Sequence, residues 1–139
     1  MIGTIENSRT EFKTKVVNDL EEIVIGFLNS KDGGNIYIGV DDNGKILGLK
    51  NNIDLLQRQI KDRIISIIEP SVLGLFDIEM LEQDDKKYLN IIVARGLEKP
   101  YHLKEMGMTS DSCFVRIGSS NTKMDEHMIN KLFRERTKN

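Results

Sequence analysis

Four acidic side chains and one lysine are the residues of this chain best suited to chemistry: Glu6, Glu11, Asp41, Asp42 and Lys13. All four acids fall near the ends of apolar segments. Glu11 and Lys13 stand two apart, so an extended backbone turns both to one face. A first strand at Thr10–Lys15, laid beside an apolar strand at Asn35–Val40, would bring Asp41 or Asp42 toward Glu11. Two or three carboxylates on one site bind Mg²⁺ or Mn²⁺ through oxygen. An ion held by Glu6, Glu11 and Asp41, with Lys13 alongside, would stabilise the charge of phosphodiester cleavage. The same residues have a plainer reading. A hairpin turn uses Asp to bond its own backbone, which accounts for Asp41 and Asp42, and Glu6 and Glu11 can be exposed charges flanking a strand.

A second constellation is Arg116 followed by Gly118, Ser119 and Ser120. An arginine at a strand end, then small hydroxyl residues and a helix start, makes an anion site, because backbone N–H groups and a helix N-terminus favour phosphate. The competing reading is that Ser119, Ser120 and Thr122 only turn and cap the chain. Lys131, Arg134, Arg136 and Lys138 against Glu135 make the tail basic, either as a patch or as a solvated helix end. His102 and His127 are far apart and lack a paired ligand, and Cys113 heads a strand as a small core filler. The chain has no GxGxxG and no phosphate-binding loop, so nucleotide hydrolysis finds no support in its motifs.

These groups need elements to position them. Val16, Leu20, Ile23, Val24, Phe27 and Leu28 recur at helical spacing, with Asp19, Glu21 and Glu22 outward, and Gly33–Gly34 end the helix. Asn43–Gly44 predicts a tight hairpin between strands at Asn35–Val40 and Lys45–Leu49. A second helix is expected at Ile53–Ile68, closed by Pro70, then strands at Leu75–Leu81 and Lys87–Ala94. Pro100–Leu103 reads as a brief extended piece and Cys113–Ile117 as a strand. Thr122 with Asp125 resembles a capping box for a last helix. The order predicts an α+β fold, one domain over 1–139. Its mixed or antiparallel sheet has two hairpins and packs against about three helices.

Composition sets the limits. With 139 residues, 39% hydrophobic and 30% charged, the chain can bury one real core. A single cysteine excludes an internal disulfide and a multi-cysteine metal site. No apolar run approaches the about 20 residues of a membrane span, so the cytoplasm is the expected compartment. A net charge of −2 argues against strong non-specific binding to nucleic acid by bulk charge.

Taken together, EFK, FLNSKDGGNIYIGVDDNGKILGL, the proline after the second helix, KPYH, and FVRIGSSNTKM with its trailing helix resemble the Schlafen-type Alba-like domain. The likeness runs from about Glu6 to Phe133, in the family's order. It implies a DNA-binding domain of the kind found at the N-terminus of prokaryotic transcriptional regulators, and an older description of the family is a divergent ATP-binding domain. Related domains of the animal Schlafen proteins cleave structured RNA with three carboxylates, two glutamates five apart and an aspartate after the first core strand. Glu6 and Glu11 have that separation, and Asp41 or Asp42 falls at the matching place. The animal enzymes form a groove from two lobes, which a homodimer of this chain would recreate; their zinc site has no counterpart here. The resemblance thus implies a dimeric nucleic-acid-binding domain, for DNA or RNA, that grips phosphate with Lys13, Arg116, Gly118, Ser119, Ser120, Lys131 and Arg134. The alternatives it carries are a Mg- or Mn-dependent endoribonuclease at Glu6, Glu11 and Asp41 or Asp42, assisted by Lys13, and an ATP-binding or protein-interaction module.

Overall fold

The computed structural model describes Gly3 and residues 5–137, so Lys138 lies outside the described residues. Strand β1 (Thr10–Lys13) leads to helix α1 (Leu20–Leu28), in which every residue except Glu22 is buried. The helical spacing begins at Val16, yet Val16 and Val17 only rest against the core as an irregular lead-in. Strand β2 (Gly34–Ile38) runs parallel to β1, with Glu11 opposite Ile36 and Lys13 opposite Ile38. Helix α2 (Ile53–Ile67) begins at Asn52, whose side chain accepts the Leu55 N–H, and passes into the two-residue strand β3 (Ile68–Glu69).

Strands β4 (Phe76–Gln83) and β5 (Lys86–Val93) form a hairpin, and β5 pairs antiparallel with β2. The main sheet therefore has the order β1-β2-β5-β4. Strand β6 (His102–Leu103) pairs with β3, and β7 (Phe114–Ile117) forms a second hairpin with β8 (Ser120–Lys123). Helix α3 (Glu126–Thr137) closes the described chain. The expected α+β fold with a mixed sheet and three helices is the fold observed; of the two expected hairpins only β4–β5 forms, and β7–β8 is the other hairpin present.

Leu20, Val24, Phe27 and Leu28 of α1 pack with Ile36, Ile38, Leu89 and Ile91 of the sheet and with Ile60 and Ile64 of α2. Each such buried side chain contributes about 1.5–3 kcal/mol of transfer free energy. Because α1 is covered on nearly all sides, Glu21 is not an outer residue as its spacing suggested. Its carboxylate is buried and takes a two-pronged ion pair from Arg63 of α2, at 2.5 and 2.9 Å. The pairing keeps the buried charge compensated.

Two expectations changed for physical reasons. Lys45–Leu49 does not return as a strand along β2, because β2 already has β1 on one edge and β5 on the other. Only Val40 and Ile46 bridge, beyond the end of β2. Ser120–Lys123 is not a turn into the last helix but a strand, made possible by Gly118 at φ +59°. The helix is capped instead by Asp125, whose Oδ1 accepts the Met128 N–H at 2.8 Å. Among the described residues no helix is long and apolar enough to cross a membrane.

Candidate functional site

The chain turns sharply before β1. Asn7 and Thr10 exchange backbone hydrogen bonds, and the Asn7 side chain accepts the Arg9 N–H at 2.8 Å. This turn aims the Asn7 and Thr10 carbonyls at β7, where Arg116 receives them. The Arg116 guanidinium donates to the Thr10 carbonyl at 3.0 Å and to the Asn7 carbonyl at 2.9 Å through Nη2. Its Nη1 forms an ion pair with Glu11 Oε1. The guanidinium carbon lies 5.0 Å from the centroid of the Phe27 ring. The side chain is 1% exposed. A buried cation is tolerated only with its donors met and a counter-charge in contact, and Arg116 has both.

Glu11 is buried with it, and Lys13 Nζ approaches its other oxygen at 3.9 Å. Glu6, in the segment leading into the turn, hydrogen-bonds to Glu11. Burial, that hydrogen bond and the Glu11 charge push the Glu6 carboxyl up to about 7, with Asp42 adding repulsion and a backbone bond at Phe12 opposing it. For Glu11, burial alone would raise the pKa. The hydrogen bond from Glu6 and the charges of Arg116 and Lys13 outweigh it and hold Glu11 below its ordinary value. The two carboxyls are thus coupled, with Glu6 shifted up and Glu11 shifted down.

The structure brings Glu6, Glu11, Lys13 and Arg116 into one cluster, with Asp42 close enough to bear on Glu6. Asp41 is committed elsewhere: its Oδ1 accepts the N–H groups of Asn43 and Lys45, both at 2.9 Å, and shapes the turn. Among the described residues no three His, Cys, Asp or Glu side chains are grouped as metal ligands. Glu11 is engaged by Arg116. Asp41 is not placed as a third ligand beside Glu6 and Glu11. What the pair can do is hold a donor and an acceptor of protons side by side near neutral pH.

Arg116 also departs from the phosphate contact expected of it, because its guanidinium is enclosed and its donors are occupied within the protein. Gly118, Ser119 and Ser120 form the exposed tip of the β7–β8 hairpin, with strand β8 between them and the start of α3. Lys131 and Arg134 are exposed on α3. Cys113 is buried, and burial pushes its thiol up, as suits a core filler. His102 is buried with its Nδ1 3.0 Å from the Leu103 carbonyl. Sequence reasoning passed over Asn29, at the end of α1, whose amide donates to the Tyr101 and Phe114 carbonyls and accepts the Tyr101 N–H. That residue and Ser30, whose Oγ accepts the Arg116 N–H at 3.1 Å, fix β7 so that Arg116 can reach Glu11. The signal was present only as polar residues closing an apolar helix. A groove between α2 and β4, lined by Gln57, Arg58, Lys61, Phe76 and Ile78, contains none of these groups.

The family pattern described as Schlafen, AlbA_2 matches residues 6–125, from the first glutamate of the cluster to the cap of α3. The chain belongs to the Schlafen, AlbA_2 family. No curated protein matches it. Solved structures share its fold, and two of them illustrate it. The N-terminal domain of a RecG-related protein of Nitrosomonas europaea, named for an ATP-dependent DNA helicase, is 26% identical. That superposition has a TM-score of 0.61 and covers 89% of each chain. The DIP2311 protein of Corynebacterium diphtheriae is 20% identical with a TM-score of 0.65, over 93% of this chain. This chain spans 24% of the length of that Corynebacterium protein. In this Schlafen, AlbA_2 domain the two segments quoted for the glutamates and for Arg116 are thus one structural unit.

Proposed function

We propose that the chain is a nucleic-acid-binding domain, of the kind that serves a transcriptional regulator. The observation that carries this reading is the arrangement of α3. It buries Ile129 and rests Met128 and Leu132 on the body, while Lys131 and Arg134 stay on the solvent side. Membership of the Schlafen, AlbA_2 family supports it, as does the likeness to a domain from a protein named for a DNA helicase. The exposed Gly118–Ser120 tip and Lys13 supply further contacts, and a homodimer would present two such surfaces. Arg116 and Glu11 organise this unit from inside.

Fluorescence anisotropy with labelled DNA and RNA at several salt concentrations tests the reading. Binding should weaken linearly in log–log form as salt rises, and Lys131→Gln with Arg134→Gln should flatten the slope by about 1.4–1.8. Absence of binding to either polymer at low salt overturns it.

A second reading, RNA hydrolysis, has one specific support, the opposite pKa shifts of the neighbouring Glu6 and Glu11 carboxyls. A protonated and an ionised carboxyl side by side are suited to general acid–base work at neutral pH. Structured RNA should then be cleaved in the presence of a chelator, and Glu6→Gln should abolish the cleavage. Cleavage unaffected by Glu6→Gln, or none at all, removes this reading.

A further inference from the structure

The KPYH motif takes no part in the carboxylate site, yet its Lys99 lies at the centre of a separate cluster. Lys99 Nζ donates to the Ser30 carbonyl at 3.1 Å, which draws it against the end of α1. Arg95 lies close enough that, after burial, its charge is the next force lowering the Lys99 pKa. Arg136 of α3 reaches the same loop. Its Nε donates to the Lys99 carbonyl at 3.2 Å, and its Nη2 to the Glu98 and Pro100 carbonyls at 2.6 and 3.0 Å. The turn at Gly33 presses on this loop from the other side. A Cβ there would lie 2.1 Å from the Val93 carbonyl and 3.0 Å from the Arg95 nitrogen.

Four cations are therefore linked in one region: Arg9, Arg95, Lys99 and Arg136. Arg9 joins it through its 2.9 Å ion pair with Asp32. The acids there are Asp32, Glu98 and Glu135, so the local balance is four minus three, or +1, on a chain whose net charge is −2. Two apolar side chains are left standing among these charges. Leu97, between Arg95 and Lys99, is 77% exposed, and Phe133 is 44% exposed with the Arg136 guanidinium 5.2 Å from its ring centroid. An outward aromatic ring with a guanidinium on it, bordered by cations, has the makings of a single-strand site. Phosphates take the cations and the face of an unstacked base takes the ring. A duplex keeps its bases stacked inside and would gain nothing from Phe133.

We propose that the Arg95–Lys99 loop and the end of α3 bind a single-stranded polynucleotide, with Arg95 and Lys99 on its phosphates and Phe133 beneath an unstacked base. This deepens the nucleic-acid reading above and rests on it. The test is anisotropy of the full chain with single strands of about 15 nucleotides, in DNA and RNA form, and with the matching DNA duplex. The single strands should bind at least about tenfold more tightly than the duplex, because base–aromatic stacking is open only to them. Arg95→Gln should flatten the salt slope by about 0.7. Phe133→Ala should weaken single-strand binding about tenfold and leave the slope unchanged, and Phe133→Tyr, which keeps a ring, should restore it. Arg95 and Phe133 are exposed, so their thermal unfolding should match that of the parent protein. Equal affinity for duplex and single strand, or unaltered binding by both Arg95→Gln and Phe133→Ala, overturns this site alone. Failure of the parent protein to bind any of the three probes overturns the nucleic-acid reading along with it.

Discussion

Arg116 on β7 and Glu11 on β1 form a buried ion pair between residues 105 positions apart in the chain. The contact ties the β7–β8 hairpin to the first strand of the main sheet and holds the Asn7–Thr10 turn through two further carbonyls. Its strength lies less in attraction than in the cost of leaving either charge alone.

Arg116→Met should therefore lower unfolding stability by about 3–5 kcal/mol, since it strands Glu11 and two carbonyls in a dry site. Urea denaturation measures this. Glu11→Leu alone should be similarly costly, whereas the double variant should recover much of the loss. Additive losses in the double variant would mean the two residues do not act as a pair.

Stability should also depend on pH through Glu6. Its folded pKa is raised from 4.5 to about 7, so its contribution is fully present below 4.5 and disappears as pH rises through about 7. Glu11 is shifted the other way. Its contribution is present above 4.5 and lost as pH falls through its lowered folded value. The melting temperature should accordingly decline between pH 4.5 and about 7. Glu6→Gln, which keeps a hydrogen-bond donor without a titrating proton, should flatten that limb, and an unchanged profile would refute the raised Glu6 pKa.

Gly26 sits inside α1, where alanine would ordinarily gain about 1 kcal/mol of helix propensity. Here a Cβ would lie 1.8 Å from Asn121 Oδ1 on β8, whose amide nitrogen is bonded to the Glu22 carbonyl at 2.9 Å. Gly26→Ala should thus destabilise by about 1–3 kcal/mol through overpacking, reversing the sign that propensity gives. Calorimetry on Gly26→Ala combined with Asn121→Ala should show the loss relieved, because the added methyl then fills the space left by the amide.

Asn29 is a second structural key. It is buried and meets three main-chain groups of the β6 approach and β7. Asn29→Leu should cost about 2–4 kcal/mol by leaving those groups without partners. Amide exchange should show the loss concentrated at Tyr101 and at β7, not spread through β4 and β5.

Much of the fold was legible in local patterns. The apolar run from Ile23 to Leu28 needed no partner to be read as a helix, and Asn43–Gly44 marked its turn correctly. The strand expected after that turn failed because strand pairing depends on whether an edge is vacant, and β2 has none. The end of the last hairpin was misread for a similar reason. Ser120 to Lys123 are polar residues with weak strand preference, and only pairing with β7 makes them extended.

The residue types pointed the candidate chemistry to carboxylates and cations. They also fixed, by the Gly and Asn positions and the spacing of apolar residues, a mixed α+β domain. The tertiary structure decided which charges meet and which face water. It turned Arg116 inward onto Glu11, shifted the Glu6 carboxyl up beside it, spent Asp41 on a turn, and set Arg136 between the Lys99 carbonyl and an exposed ring. A charge's role depends on its burial and on neighbours far away in the chain, and neither quantity is written in local sequence.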